Sequence, residues 1–266
     1  MLQKKASQKP LVVHVYATEF DREGEGFRHD VCHIEKMGME VADKVIVVSD
    51  LIRNSVIEKY KIKPDKIETV YNAVEVRENK KDVIFKRNAD EKIVTFLGKI
   101  SFQIGLEYFI EAANKVLQKM KNVRFVIPGS GDIINRMIKR VTELKIRDRF
   151  YFTGFIKGND VDKMFANSDI YVMSSVSENF SISPLEVMHP DVPVIIGKQS
   201  AISKILNHTI TIDFGNIDAI ANAIYGLLNY SALSKMFSHY QQDEIDKMKW
   251  KNTAFQVKEI YSTVFL

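Results

Sequence analysis

The sequence predicts an α/β fold of two Rossmann-like domains on parallel sheets, with the first domain incomplete. Three observations carry this reading. From Ile93 to Asn229, apolar runs of strand length alternate with patterns of helical period, the alternation that a parallel sheet with crossover helices produces. A shorter series of three strands and two helices precedes it, between Leu11 and Tyr71. Between the two lies ENKKDVIFKRNADEK, a charged and weakly apolar stretch of linker composition.

In chain order, Met1 to Pro10 is a polar lead-in, and LVVHVY (Leu11 to Tyr16) reads as a buried strand. Thr18 to Gly26 is a charged loop. Val31, Ile34, Met37 and Val41 recur at helical spacing between His29 and Asp43. Lys44 to Val48 is a second strand, and Ser49 or Asp50 caps a helix running to about Tyr60. After a turn at Pro64-Asp65, Ile67 to Tyr71 is the third strand. These elements fill a partial domain, residues 1–76, and residues 77–92 are the linker. A half-sheet leaves an open edge and an uncovered face, which proteins pair or cover. Either a partner chain does so, or relatives have an N-terminal part that is missing here.

The second domain, residues 93–230, is predicted complete. Its strands are Ile93–Leu97, Val123–Ile127, Phe150–Thr153, Ile170–Met173, Val194–Ile196 and Thr209–Asp213. Helices are expected near Leu106–Lys119, Ile133–Leu144, Val161–Asn167 and Ile217–Asn229, with a short helix around Glu186 and a turn of helix at Ala201–Leu206. The tail, residues 231–266, is helical by period, with Trp250, Ala254, Val257 and Tyr261 in one stripe, and is expected to pack back on the first domain.

A net charge of +4 and a pI near 8.9 suit anionic ligands or a membrane face, and are too diffuse for nucleic acid. Cys32 is the only cysteine, so neither an internal disulfide nor a cysteine metal site is available, and a reducing cytoplasm is expected. The apolar run Leu11–Ala17 is too short for a signal peptide and contains His14. Arg136, Lys139, Arg140 and Lys145 on one helix suit either peripheral contact with anionic lipid or a solvated face.

The candidate chemistry centres on Ser177–Met188, SENFSISPLEVM, between two predicted strands. Glu178 and Glu186 stand eight residues apart there, at what would be the carboxyl ends of the strands, where open α/β sheets bind ligands. An ionised carboxylate accepts two charge-assisted hydrogen bonds from paired hydroxyls; the competing reading is two solvated glutamates flanking a loop. Gly129-Ser130-Gly131 lacks the third glycine of a dinucleotide fingerprint, so a dehydrogenase does not fit. The sequence has no metal-ligand spacing.

Four stretches, GKISFQIGLEYFIEAA, VRFVIPGSGD, FTGFIKGNDVDKMFANSDIYVMSS and ENFSISPLE, occur in an order that resembles the nucleotide-binding domain of retaining glycosyltransferases of the GT-B fold. More narrowly, they resemble the large group 1, family 4 type that includes sucrose synthase. ADKVIVVSDLIRNSVIEKY followed by VYNAVEV resembles the last N-domain elements of that family. The resemblance implies a nucleotide-diphosphate sugar as donor substrate, no separate cofactor or metal, and a glycan or lipid-linked acceptor. It implies that Glu186 binds the donor ribose and that Glu178 is the catalytic-position glutamate nearer the transferred sugar. Gly98, Lys99, Gly129, Phe180 and Ser183 would complete the donor site, and His14, Asp21 and Arg22 would lie on the acceptor side.

The departures from that pattern fall on the diphosphate site. Relatives carry Arg where Lys99 stands and Lys where Ile104 stands; Lys99 keeps the charge without the planar fork, and Ile104 has none. Charge builds on the leaving diphosphate, where cations act most strongly on the transition state. Ser181 replaces a glycine, and Lys204 stands at an acidic position. A catalytically impaired chain of the same fold, acting as a binding or partner protein, is therefore the alternative. A nucleotide-sugar epimerase on the same architecture is a third reading.

Overall fold

In a computed structural model of the chain, the residues described are 9–21, 27–73, 88, 90–96, 105–130, 134–173, 192–198 and 200–265. They fall into two compact units.

The first unit contains β1 (Val12–Val15), α1 (His29–Val41), β2 (Lys44–Val47), α2 (Asp50–Glu58) and β3 (Ile67–Thr69). The strands pair in parallel in the order β1-β2-β3. Val15, Val45, Val47 and Ile67 form a core with Met39 of α1, Ile52 and Val56 of α2, and Tyr60. Ser49 is the N-cap of α2, its hydroxyl accepting the Ile52 N–H at 3.3 Å, which satisfies one of the helix's orphan donors.

Two expectations change here. The apolar run of β1 predicts a buried strand, but β1 is an edge strand among the described residues, and His14 and Tyr16 are exposed. With one neighbour, β1 buries the Val15 face and leaves the His14 face to solvent. The α1 stripe is also displaced, because Ile34 is 63% exposed and Met39 is buried. Glu35 belongs to the inward side, where it accepts the Tyr60 hydroxyl and the Glu19 N–H. A polar residue therefore takes a position that apolar periodicity could not assign.

The second unit contains β4 (Lys92–Phe96), α3 (Leu106–Lys119), β5 (Val123–Pro128), α4 (Ile134–Glu143), β6 (Phe150–Gly154), α5 (Asn159–Ala166), β7 (Ile170–Met173), β8 (Val194–Gly197), β9 (Ile210–Ile212), α6 (Ile217–Asn229) and α7 (Ser231–Lys247). Its six strands are parallel in the order β6-β5-β4-β7-β8-β9. The chain builds outward from β4 to β6, returns to place β7 beside β4, and builds outward again to β9. β7 and β8 are buried along their whole length, as expected of parallel strands covered on both faces.

One face of this sheet, including Val94, Phe96, Phe125, Ile127 and Val172, packs on Phe109, Val116 and Ile224 of the covering helices. On the other face, Phe165 of α5 meets Tyr171 edge-on at 5.8 Å. The amino end of the β4–β7 pair is fastened by Asp169, whose carboxylate accepts the Ile93 N–H at 2.8 Å and lies 3.5 Å from the Lys92 ammonium. Deeper in the pair, the Thr95 and Ser168 hydroxyls are 2.6 Å apart.

The predicted bounds of α3, β7 and α6 coincide with those observed, and the other strands shift by a residue or two. The turn of helix expected at Ala201–Leu206 is a 3-10 turn at Ala201–Lys204. The tail is two helices, α7 and then α8 (Trp250–Val264), and α8 belongs to the first unit, where the Thr253 hydroxyl donates to the Tyr71 carbonyl at 3.2 Å. Of the predicted stripe on α8 only Val257 is half-buried, with Thr253, Ile260 and Val264 beside it, while Trp250, Ala254 and Tyr261 are exposed.

Candidate functional site

In an open parallel sheet, ligands bind beyond the carboxyl ends of the strands, where the direction of winding reverses. In the second unit that point lies between β4 and β7, which pair as Val94↔Ile170, Thr95↔Tyr171 and Phe96↔Val172. Adjacent strands that carry the chain to opposite sides leave a crevice between their following loops. The segments that leave these two strand ends are the ones carrying Gly98, Lys99 and Ile104 after β4, and Glu178, Phe180, Ser183 and Glu186 after β7. Those residues, and Arg22 in the first unit, lie outside the described residues.

The frame around the switch point is described. α3 is capped by Gly105, in the left-handed region at φ 66°, a conformation that costs an L-residue roughly 1–2 kcal/mol. Its first-turn N–H groups lack intrahelical acceptors and suit an anion. At the end of β5, Gly129 has φ 124° and donates its N–H to the Gly154 carbonyl at 2.7 Å. The N–H of Gly129 is therefore committed to the β5–β6 junction.

Two residues not singled out from sequence stand at the same edge. Phe155, just beyond β6, is 76% exposed and flanked by Gly154 and Gly158 at φ 71° and 58°. Ser200, beyond β8, is fully buried, and its hydroxyl has no hydrogen-bond partner. Phe155, the second phenylalanine of FTGFIKG, has no sequence signal of its own, and only its exposure at a strand end marks it. Ser200 had no sequence signal.

In the first unit, the acceptor-side candidates sit as follows. His14 and Tyr16 share one face of β1 with ring centroids 4.7 Å apart, and partial desolvation lowers the imidazole pKa from its ordinary value. Asp21 closes a local turn, accepting the Thr18 N–H at 2.6 Å and the Thr18 hydroxyl at 2.8 Å. A pair not predicted lies at the carboxyl ends of β2 and β3: Asp50 accepts the Thr69 hydroxyl at 3.0 Å and the Tyr71 hydroxyl at 2.8 Å. Burial first, and then Asp50, pushes the Tyr71 phenol up to about 12.

Two of the four candidate lipid-facing cations are engaged by carboxylates. Arg136 pairs with Glu107 at 2.9 Å, and Arg140 with Glu111 at 2.6 Å and Glu143 at 3.4 Å. Among the described residues no group of His, Cys, Asp or Glu could hold a metal ion, and no helix is long and apolar enough to cross a membrane. Cys32 is a free thiol.

Comparison with known proteins agrees with this frame. An uncharacterized glycosyltransferase of Methanocaldococcus jannaschii is 26% identical over 275 residues, which cover 97% of this chain and 70% of that protein. The alpha-monoglucosyldiacylglycerol synthase of Streptococcus pneumoniae is 23% identical over 249 residues, 89% of this chain and 53% of that protein. The chain thus spans about half to two-thirds of the length of these relatives. Among solved structures, Anabaena HepE in complex with UDP and glucose superposes with a TM-score of 0.81 at 17% identity, covering 98% of this chain and 74% of that one. TarM of S. aureus, solved with UDP and alpha-GlcNAc-glycerol among its ligands, gives 0.78 at 18% identity, covering 95% of this chain and 50% of that one. These likenesses establish the GT-B arrangement of two Rossmann-like domains, the first smaller. The family model described as Glycosyltransferase Family 4 matches residues 1–78. The model described as Glycosyl transferases group 1 matches residues 77–244, more than half of the chain, and the chain belongs to that family.

Proposed function

We propose that the chain binds a nucleotide-diphosphate sugar over the β4–β7 switch point and transfers the sugar, with retention, to a glycan or lipid-linked acceptor. The observation that carries this reading is the strand order β6-β5-β4-β7-β8-β9. Both chain segments that leave the switch point carry the residues such a donor requires: Lys99 on one, Glu178 and Glu186 on the other. Glu186 accepts hydrogen bonds from the paired ribose hydroxyls, and Glu178 faces the transferred sugar. Lys99 and the N-terminus of α3 meet the diphosphate, whose charge grows as the glycosidic bond breaks. With the diphosphate at the switch point, the base extends over β5 and β6. Two strand spacings of about 4.8 Å each bring it to Phe155, where an exposed ring offers a stacking surface. His14 and the Asp50–Tyr71 pair suit hydroxyl groups of an acceptor.

Calorimetric titration with UDP and GDP tests the donor site, and incubation with UDP-sugars tests transfer. Binding of one nucleotide is expected, and Glu186→Ala should weaken it by about 10- to 100-fold, the loss of a charged hydrogen bond worth about 1.5–3 kcal/mol. No heat with either nucleotide at millimolar concentration would end the donor reading. Ile104 favours a second reading, a chain that binds nucleotide without turnover. Under that reading Lys99→Arg with Ile104→Lys raises nucleotide affinity and the native chain shows no transfer; transfer by the native chain excludes it.

A further inference from the structure

Helix α8 has more apolar surface than the first unit uses. At 3.6 residues per turn, Thr253, Val257, Ile260 and Val264 fall within about 60° of one another, and these are its half-buried positions. They form a narrow seam of the width that docks a helix on a single neighbour. A second strip lies beside it. Trp250, Ala254, Tyr261 and Phe265 also fall within about 60°, yet Trp250 is 50%, Tyr261 45% and Phe265 66% exposed. A helix docked through one seam gains nothing from three aromatic rings in water on an adjoining face, so this strip calls for an occupant.

Charge identifies the occupant. Lys258 and Lys251 follow directly beyond the strip on the helical wheel and are exposed. The helix has a single acid, Glu259, about 150° from the centre of the strip. An aromatic strip bordered by lysines, with its one carboxylate turned away, matches the anionic headgroup layer of a bilayer. There Trp and Tyr rings sit at headgroup level, and lysine heads reach phosphate while their stems cover apolar surface. A protein partner would be expected to meet such lysines with carboxylates, whereas a lipid surface needs only diffuse negative charge. We infer that α8 is a membrane-interface helix that lays Trp250, Tyr261 and Phe265 into the headgroup region of an anionic lipid surface, with Lys251 and Lys258 on the phosphates. This assignment is independent of the donor site and replaces the basic face of α4, where Arg136 and Arg140 are already paired with carboxylates.

Trp250 is the only tryptophan in the chain, so its fluorescence reports on this strip alone. The full chain is titrated with vesicles of phosphatidylcholine mixed with phosphatidylglycerol, and with vesicles of phosphatidylcholine alone. The expected result is a blue shift and co-sedimentation with the mixed vesicles, both suppressed by salt. Lys251→Glu with Lys258→Glu should lower partitioning by at least about fivefold per lysine, and Tyr261→Ser with Phe265→Ser should abolish the shift. All four positions are exposed, and circular dichroism checks that the variants fold. An unchanged spectrum on mixed vesicles overturns the proposal, as does an equal shift on phosphatidylcholine alone. A lipid-free shift that grows with protein concentration also overturns it, and assigns the strip to a second copy of the chain.

Discussion

Individual residues divide by how much sequence alone reveals of them. Glu178 and Glu186 are singled out by sequence alone, as carboxylates between two strands, and both lie outside the described residues. Phe155 is not, since only its exposure marks it, and aromatic residues are usually core. If it stacks on the base, Phe155→Ala should weaken UDP binding by about 1–3 kcal/mol and leave thermal stability unchanged, because the side chain is exposed. Phe155→Tyr should retain affinity. Equal UDP affinity for the alanine variant and the native chain, measured by calorimetry, would remove the residue from the site. The Asp50–Tyr71 pair was hidden for another reason, since its two members are brought together only by the β2–β3 pairing. An unfolded tyrosine titrates near 10, and in the fold Tyr71 is raised to about 12, by burial first and by Asp50 next. Between those values the unfolded state loses the proton that the folded state keeps. The contribution of Tyr71 is therefore full below about pH 10 and lost as pH rises toward 12. Urea melts across this range should show stability falling, and Tyr71→Phe should reduce the slope. Some slope should remain, because burial and Glu35 also raise Tyr60.

At the scale of elements, period and composition served well wherever a strand or helix is covered on the side its pattern predicts. β7 and α3 are examples, with every residue of β7 buried and seven residues of α3 buried. They failed where an element has two kinds of face. β1 has the composition of a central strand and the environment of an edge. α8 carries two apolar strips; Trp250, Tyr261 and Phe265 lie on the exposed one, and Phe255, also exposed, lies on neither. Pattern alone cannot decide which of two apolar faces a neighbour takes, because both satisfy the same period. The start of α3 was also only half legible. Sequence placed a glycine there, and the fold supplies the reason, a left-handed N-cap at φ 66°. Gly105→Ala should therefore cost about 1–2 kcal/mol of stability, read as a lower denaturation midpoint. It should also weaken UDP, since the first turn of α3 would tilt away from the switch point. An alanine variant as stable as the native chain would mean that the positive φ is not required.

At the scale of the whole molecule, two cores are distinct. One is built on the six-stranded sheet with Phe96, Phe109 and Phe125, the other on the three-stranded sheet with Val45, Ile52 and Tyr60. Separate cores imply separate cooperativity, since a single all-or-none transition is a property of one continuous core. The first unit is the smaller, and among the described residues β1 is an edge strand with an exposed His14, so it should unfold first. Calorimetry is expected to show two transitions. A donor nucleotide should raise only the later one, because a ligand stabilises the unit it binds, by about 2.7 kcal/mol at a hundredfold excess over Kd. Val94→Ala, a cavity in the six-stranded core costing about 2–4 kcal/mol, should lower the later transition alone, and Val45→Ala the earlier alone. A single transition that moves as one with either substitution would show that the two cores fold as a unit. The donor site would then owe its stability to the three-stranded sheet as much as to its own.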